Sequence, residues 1–453
     1  MCFYAKTVWQ LGGCDTLRWM AVAADVRAGN GTIRPMHPKA LLDSCSELLK
    51  QVLKFDYPAD MVLSRYFREA RLGPRERATL AETIYGVLRK KNLYTYLAQH
   101  GSGSPERRLA ILGFAADRAF LESALTDQEI DWLNRCDQVK PEDLMELHRH
   151  NLPNWLVEPF KTQLGDDFWP LVESLNAPAG LDLRVNTFKD KRADIQKELA
   201  KAGLKTTATP YSPWGLRLAD KSQLGKLDAF TRGAIEVQDE GSQLLALLVD
   251  AKRGEMVVDF CAGAGGKTLA LGATMRSTGR LYAFDTSGHR LEALKPRLAR
   301  SGLSNVHPVA IAHERDDRIK RLAGKIDRVL VDSPCSGLGT LRRNPDLKWR
   351  QNPKAVQELV AKQTAILQSA ARLLKPGGRL VYATCSILRE ENEAIAAAFG
   401  AANESFIALE IAPLLTHLGV ENAATLCSGP YLRLWPHLHH TDGFFAAVWQ
   451  KEN

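Results

Sequence analysis

The sequence predicts an α/β protein: a doubly wound, Rossmann-like sheet, preceded by a small α+β module and an N-terminal helical domain. Three observations carry that expectation. Met256-Val-Val-Asp-Phe260 is a short apolar run suited to a buried parallel strand. It stops at the small-residue loop Cys261–Gly266, and helical spacing follows over Leu269–Met275. Strand and helix signals then alternate toward the end of the chain, the pattern of a parallel sheet with crossover helices. Residues 37–150 instead carry helical stripes.

Residues 1–36 show no clear pattern and are left unassigned, with Met20 and Met36 both possible starts. Residues 37–150 read as a helical domain. Leu41, Leu42, Cys45, Leu48, Leu49 and Leu53 recur at helical spacing, and Met61, Val62, Tyr66 and Phe67 begin a second stripe. Leu80, Ile84, Val87 and Leu88 share one face of a helix over Glu76–Lys91. That helix ends in Arg89-Lys90-Lys91, which is either a solvated end complementing the macrodipole or a phosphate contact. Residues 151–233 hold two helices with a bend near Trp169-Pro170, then a module of strand (Leu181–Asn186), helix (Asp190–Gly203) and strand (Thr206–Leu218). Its cluster of Arg184, Lys189, Lys191, Arg192 and Lys205 suits RNA; a plain connector is the alternative.

Residues 234–453 form the expected catalytic domain. Strands are expected at Met256–Phe260, Arg280–Asp285, Val306–Ile311, Asp327–Asp332 and Arg379–Thr384, with Phe444–Gln450 closing the chain as an edge or penultimate strand. Helices are expected at Gly288–Arg300, stopped by Gly302, and over Pro353–Leu374 and Glu390–Phe399. Ligands of such a sheet sit at the carboxyl ends of its strands.

The bulk numbers narrow the class. A chain of 453 residues holds several domains, and its formal charge of +8 suits an acidic polymer as partner. Eight cysteines without a C-x-x-C pair argue against a zinc site or a disulfide framework and for a reducing, cytoplasmic setting. No stretch is long enough to span a membrane, and no secretory leader is evident.

The chemistry concentrates at strand ends. Cys261, Ala262, Gly263, Ala264, Gly265 and Gly266 form a tight turn whose backbone can approach a ligand before a helix N-terminus. The spacing misses both the dinucleotide fingerprint and the phosphate loop, so an ordinary turn remains open. Asp285 ends the next strand, where an acid accepts hydrogen bonds from ribose hydroxyls or else caps a helix. Asp332-Ser-Pro-Cys335-Ser-Gly337 and Tyr382-Ala-Thr-Cys385-Ser386 bring two cysteines to the ends of neighbouring strands. One cysteine alone is more often inert filler; two at adjacent strand ends suggest chemistry.

These motifs resemble the RsmB/Nop/Sun group of RNA cytosine-5 methyltransferases. The resemblance rests on Asp259–Thr268, Asp332–Gly337, Leu341-Arg-Arg-Asn-Pro-Asp346 with Lys348-Trp349, and Ala383–Ser386. It extends to Leu183–Thr187, Val237–Glu240 and Asp442–Phe445, so it covers about residues 152–451, and the helical segment is similar in character to a NusB-like extension. It implies S-adenosylmethionine as cofactor, held by the Gly-rich loop, Lys267, Asp285 and Asp332. It further implies Cys385 as nucleophile and Cys335 as the group assisting release. Asp332 would face the cytosine N3/N4 edge, and Lys267 would lie near the methyl group and the base. The chemistry asks for such a pair: C5 of cytosine is a poor nucleophile until a thiolate adds at C6, and the C5 proton must then leave before the enzyme is eliminated.

The target base must be unstacked to admit a thiol. Arg342, Arg343, Lys348, Trp349 and Arg350 are expected to hold phosphates and stack a neighbouring base, alongside Arg184. Expected partners are ribosomal RNA or a small-subunit precursor, with no membrane, no metal and a monomeric protein. Two departures stand out. The family's Ala-Ala-Pro-Gly-Gly reads Ala262-Gly-Ala-Gly-Gly266 here, implying a more flexible loop with its backbone donors retained. Where the family places an Asp after the third strand, this chain has Ile311-Ala-His-Glu314, so His313 or Glu314 is expected to substitute. The rival reading is a non-catalytic RNA-binding or ribosome-assembly factor that keeps the fold.

Overall fold

The computed structural model describes residues 36–220 and 223–453. All but the last residue of the unassigned leader lies outside them. The chain divides into two compact units. One comprises residues 36–178 with Leu341–Asn352; the other comprises Ala179–Thr340 with Pro353–Asn453.

The first unit is helical. Its Pro38–Val52 helix buries Leu41, Leu42, Cys45, Leu48, Leu49 and Val52, the i, i+3, i+4 set of one face. The Pro74–Arg89 helix buries Leu80, Ile84, Val87 and Leu88 as its periodicity requires. The Ala59–Glu69 helix turns differently from its predicted stripe: Ala59, Leu63 and Phe67 face inward, while Met61 is exposed. Thr126 and Glu129 close a reciprocal capping box on the Asp127–Asp137 helix. The expected bend falls at Gly165–Asp167, between the Asn154–Leu164 and Phe168–Leu175 helices. It lies ahead of Pro170, because a proline fits within the first turn of the second helix. Arg89 is buried and donates to the Arg342 carbonyl at 3.0 Å, so only Lys90 and Lys91 of the basic triplet reach solvent.

The second unit opens with an antiparallel sheet of β1 (Leu181–Val185), β2 (Thr206–Ala208), β3 (Gly215–Leu218) and β4 (Ile235–Val237), in the order β2-β3-β1-β4. Leu181, Leu183, Val185, Leu216, Ile235 and Val237 form its core with Ile195 and Leu199 of the Arg192–Lys201 helix. The sequence boundary at 233/234 cuts this sheet, since β4 pairs with β1. The expected strand over Thr206–Leu218 is a hairpin, β2 and β3, that turns at Ser212–Trp214.

The large sheet contains β5 (Met256–Asp259), β6 (Arg280–Asp285), β7 (Val306–Ala310), β8 (Ile326–Asp332), β9 (Leu374–Thr384), β10 (Phe406–Ala408), β11 (Cys427–Ser428), β12 (Tyr431–Leu434) and β13 (Phe444–Lys451). Its order is β11-β12-β13-β9-β8-β5-β6-β7, with β10 also pairing β13. Strands β9, β8, β5, β6 and β7 are mutually parallel, the Rossmann-like arrangement that the alternation predicts. The closing strand β13 is interior, antiparallel to both β9 and β12, and not at or next to the edge. Its burial explains the run Phe444-Phe-Ala-Ala-Val-Trp449, all of it inaccessible to solvent. Gly302 ends the Gly288–Ser301 helix at φ 76°, as read from sequence. The carboxyl ends of β5, β6, β8 and β9 lie side by side, and each carries a residue singled out above.

Candidate active site

The Gly-rich turn is held from several directions. Gly263 and Gly265 take φ of 55° and 83°, which a side chain would strain. Asp285 Oδ2 accepts from the Gly263 amide at 2.8 Å and its Oδ1 from the Ser287 amide at 2.7 Å. Ser287, not Asp285, caps the following helix. Arg297 Nη1 donates to the Ala264 carbonyl at 2.7 Å, and the Gly265 amide bonds the Ala262 carbonyl at 2.8 Å. The turn without its family proline is thus braced by Asp285 and Arg297.

Beside it lies a cleft of ≈ 680 Å³, counting its open mouth. Phe260, Cys261, Ile311 and Ile366 give it apolar walls; Asp285, His313, Glu314 and Lys362 give it polar ones. Both expected substitutes for the missing Asp line this cleft. Such a mixture suits an adenosine moiety, with a flat base between apolar walls and a carboxylate beside hydroxyls.

The cysteines meet as the strand register requires. Asp332 at the end of β8 pairs with Ala383 in β9, and Cys335 and Cys385 follow each strand end within three residues. Their Sγ atoms lie 3.3 Å apart. Cys335 is buried and Cys385 partly exposed. The neighbouring Cys335 thiol holds Cys385 well above the usual thiol range, burial adds to this, and the Lys267 ammonium opposes it. Lys267 Nζ donates to Asp332 Oδ2 at 2.7 Å. Beneath them Thr268 Oγ1 donates to Asp259 Oδ2 at 2.6 Å, and burial pushes the Asp259 carboxyl up to about 7.

Four sequence-predicted RNA contacts are placed elsewhere, among them Arg350, whose buried guanidinium lies 3.5 Å from Asp346 Oδ2. Arg184 is buried in β1, opposite Glu236 of β4, and burial lowers its pKa to about 10. Its guanidinium compensates a buried acid and does not face solvent. Lys348 is 1% exposed; its ammonium donates to the Arg89 carbonyl at 3.0 Å and Asn176 Oδ1 at 2.8 Å. Trp349 Nε1 donates to the Leu88 carbonyl at 2.8 Å, and its ring receives the Lys91 ammonium 4.6 Å from its centroid. Both residues tie Leu341–Asn352 into the helical unit, with Asp346 accepting from the Ala59 amide at 3.2 Å. Arg342 and Arg343 are partly exposed in the same segment.

Sequence reasoning missed Glu391. Its carboxylate is fully buried and accepts from the Ser336 amide at 2.8 Å, Ser336 Oγ at 2.6 Å, Gln363 Nε2 at 2.9 Å and Ser386 Oγ. The only signal was a serine after each cysteine, Cys335-Ser336 and Cys385-Ser386. Among the described residues no cluster of three or more His, Cys, Asp or Glu is arranged to hold a metal ion. No helix there is long and apolar enough to cross a membrane.

A family model described as 16S rRNA methyltransferase RsmB/F matches residues 246–450, and one described as an RsmF/B-like methyltransferase ferredoxin-like domain matches residues 152–224. A probable ribosomal RNA small subunit methyltransferase B of Synechocystis is 32% identical over 440 residues, covering 89% of this chain and 98% of that protein. The ribosomal RNA small subunit methyltransferase B of Vibrio cholerae is 30% identical, covering 85% and 92%. Among solved structures, PH0851 superposes with a TM-score of 0.74 at 27% identity, over 93% of this chain and all of that one. A methyltransferase homolog protein from Pyrococcus horikoshii gives 0.58 at 28% identity, over 69% of this chain and all of that one.

Proposed function

Since the chain belongs to the RsmB/F methyltransferase family, we propose that it transfers the methyl group of S-adenosylmethionine to C5 of a cytosine in small-subunit ribosomal RNA. The observation that carries the reading is the 3.3 Å approach of Cys335 and Cys385 beside the Lys267–Asp332 pair. The cofactor supplies an electrophilic methyl group when bound. Cys261–Gly266, Asp285 and the cleft beyond hold it, with His313 or Glu314 on the adenine side.

Cys385, which is partly exposed, releases its proton to solvent and its sulfur forms a bond to C6 of the base. Electron density then rises at C5, which takes the methyl group. Asp332 faces the N3/N4 edge and favours protonation of the ring there as the adduct forms, which relieves the charge that the thiolate brings. Lys267 orients Asp332 through its 2.7 Å hydrogen bond. The C5 proton passes to a base in which Cys335 takes part, the S–C6 bond breaks, and Cys385 is regenerated. Arg342 and Arg343 contact phosphates of the RNA.

Labelled methyl transfer to RNA, DNA and protein in parallel, followed by bisulfite mapping of the RNA product, tests this. A bisulfite-resistant cytosine in small-subunit RNA is the expected result. Methyl incorporation into protein or DNA alone, or at another RNA atom, would overturn it. Failure to bind S-adenosylmethionine in a calorimetric titration would instead favour a non-catalytic assembly factor.

A further inference from the structure

Two loops must bring their sulfurs together, yet they leave different strands and are 50 residues apart in the chain. Backbone pairing accounts for part of the alignment. The Ser333 amide bonds the Ala383 carbonyl at 2.9 Å, and the Gly339 amide bonds the Cys385 carbonyl at 2.9 Å. The remainder converges on one side chain. Glu391 Oε1 accepts from the Ser336 amide and Gln363 Nε2; Oε2 accepts from the hydroxyls of Ser336 and Ser386, which themselves lie 3.1 Å apart. Gln363 Nε2 also donates to the Pro334 carbonyl at 2.9 Å, on the other side of Cys335. The next residue continues the pattern. Asn392 Nδ2 donates to the Ser386 carbonyl at 2.9 Å, and Asn392 Oδ1 accepts from Thr384 Oγ1 at 2.5 Å.

A buried carboxylate is costly unless its oxygens are met by donors, and four donors meet this one. Three of the four come from the residues that directly follow Cys335 and Cys385. We propose that Glu391 is a positioning residue for methyl transfer, a buried clamp that sets the distance and direction of the two thiols by gripping the serine after each. It touches neither sulfur. This deepens the reading of the cysteines as the reacting groups and rests on it.

The test uses the full-length chain with E391Q, S336A and S386A, and each serine change combined with E391Q. Gln is nearly the size of Glu, so E391Q preserves packing while turning one acceptor into a donor. The thiol geometry is read without RNA. Diamide takes two hydrogens from Cys335 and Cys385 as their S–S bond forms, and intact mass follows the loss of 2 Da. Function is read as the single-turnover rate of methyl transfer, with cofactor affinity by calorimetry. E391Q is expected to slow cross-linking about tenfold and methyl transfer by about 10²-fold, the scale of an ångström-level misplacement. Cofactor affinity should stay within about twofold, and S336A or S386A should add little once Glu391 is changed. The proposal is overturned if E391Q cross-links and transfers methyl within about twofold of the parent, or if the serine changes keep their full effect in E391Q. Slowed cross-linking in E391Q, with no methyl transfer by the parent chain either, would keep the clamp and reject the enzymatic reading.

Discussion

Lys267 Nζ and Asp332 Oδ2 lie 2.7 Å apart, joining the start of the helix after the Gly-rich turn to the end of β8. A cation at a helix N-terminus opposes the macrodipole, so the pairing with Asp332 supplies its compensation. Burial alone would lower the Lys267 pKa, but the Asp332 carboxylate outweighs it and the net shift is upward. A lysine whose pKa rises on folding stabilises the protein below its unfolded pKa and loses that contribution as pH climbs through the folded one. The pair is therefore intact through neutral pH and weakens only above about pH 10. Asp332→Ala strands the cation and is expected to cost about 2–3 kcal/mol in urea unfolding, short of the ~3–5 kcal/mol of a fully buried pair because Asp332 is 28% exposed. The loss should be constant between about pH 6 and 9. An unchanged unfolding midpoint would show that the pair is not a stabilising contact.

The two cysteines predict opposite failures. On the proposed mechanism Cys385→Ala removes the group that attacks C6 and should abolish methyl transfer without an adduct. Cys335→Ala leaves the attack intact and should trap a covalent protein–RNA species, visible as a band resistant to denaturing electrophoresis. Both changes are small in volume, so folding should survive. An adduct in the Cys385 variant would reverse the two roles.

Asp259 should make stability fall as pH rises. Its carboxyl is pushed up to about 7, first by burial, against the hydrogen bond from Thr268 and with the Asp332 charge adding. The folded state therefore binds more protons than the unfolded chain between about pH 4 and 7, so stability drops across that window, by a few kcal/mol in order of magnitude. Asp259→Asn keeps an oxygen for the Thr268 hydroxyl and removes the titration. Urea midpoints of the parent and the Asn variant should converge at low pH and separate above neutrality, the variant being the more stable. Parallel curves from pH 4.5 to 8 would refute the assignment.

Local signals placed the strands well and their neighbours less well. Arg280–Asp285 was legible to the residue, because an apolar run ends in an acid and a helix stopped by Gly302 follows. The position of β13 was not, since antiparallel insertion between β9 and β12 is decided by partners far away in the chain. Assigning β4 to the catalytic domain failed for the same reason: Ile235–Val237 has strand character but no mark of which sheet it joins. At the site, glycines, strand-end acids and paired cysteines announce themselves by type. Charge does not announce burial. Lys348 and Arg184 look like phosphate ligands until Asn176 and Glu236 are found opposite them. Glu391 shows the converse: in the run Arg389-Glu-Glu-Asn-Glu393 it looks like one more solvated helix charge, while its partners lie at 336, 363 and 386.

Glu236 connects the small sheet to the cofactor turn. Its Oε1 accepts from Arg300 Nη2 at 2.6 Å and its Oε2 from Arg297 Nη2 at 3.0 Å, with Arg184 across the strand pair. Burial would raise its pKa, but the arginines more than offset that and the net shift is downward. A depressed carboxyl stabilises above its unfolded pKa and loses that contribution as pH falls through the folded one, so the cluster is complete at neutral pH and fails only below about pH 4. Glu236→Gln leaves buried guanidinium groups uncompensated and is expected to cost about 3–5 kcal/mol at pH 7. The same change releases Arg297, whose Nη1 holds the Ala264 carbonyl of the turn. S-adenosylmethionine should then bind about tenfold more weakly, the ~1.4 kcal/mol scale of one charge-assisted hydrogen bond. A calorimetric titration separates the two effects. A destabilised variant with parental affinity would confine Glu236 to the fold, whereas a parallel loss in Arg297→Lys would trace the weakened binding to that one guanidinium contact.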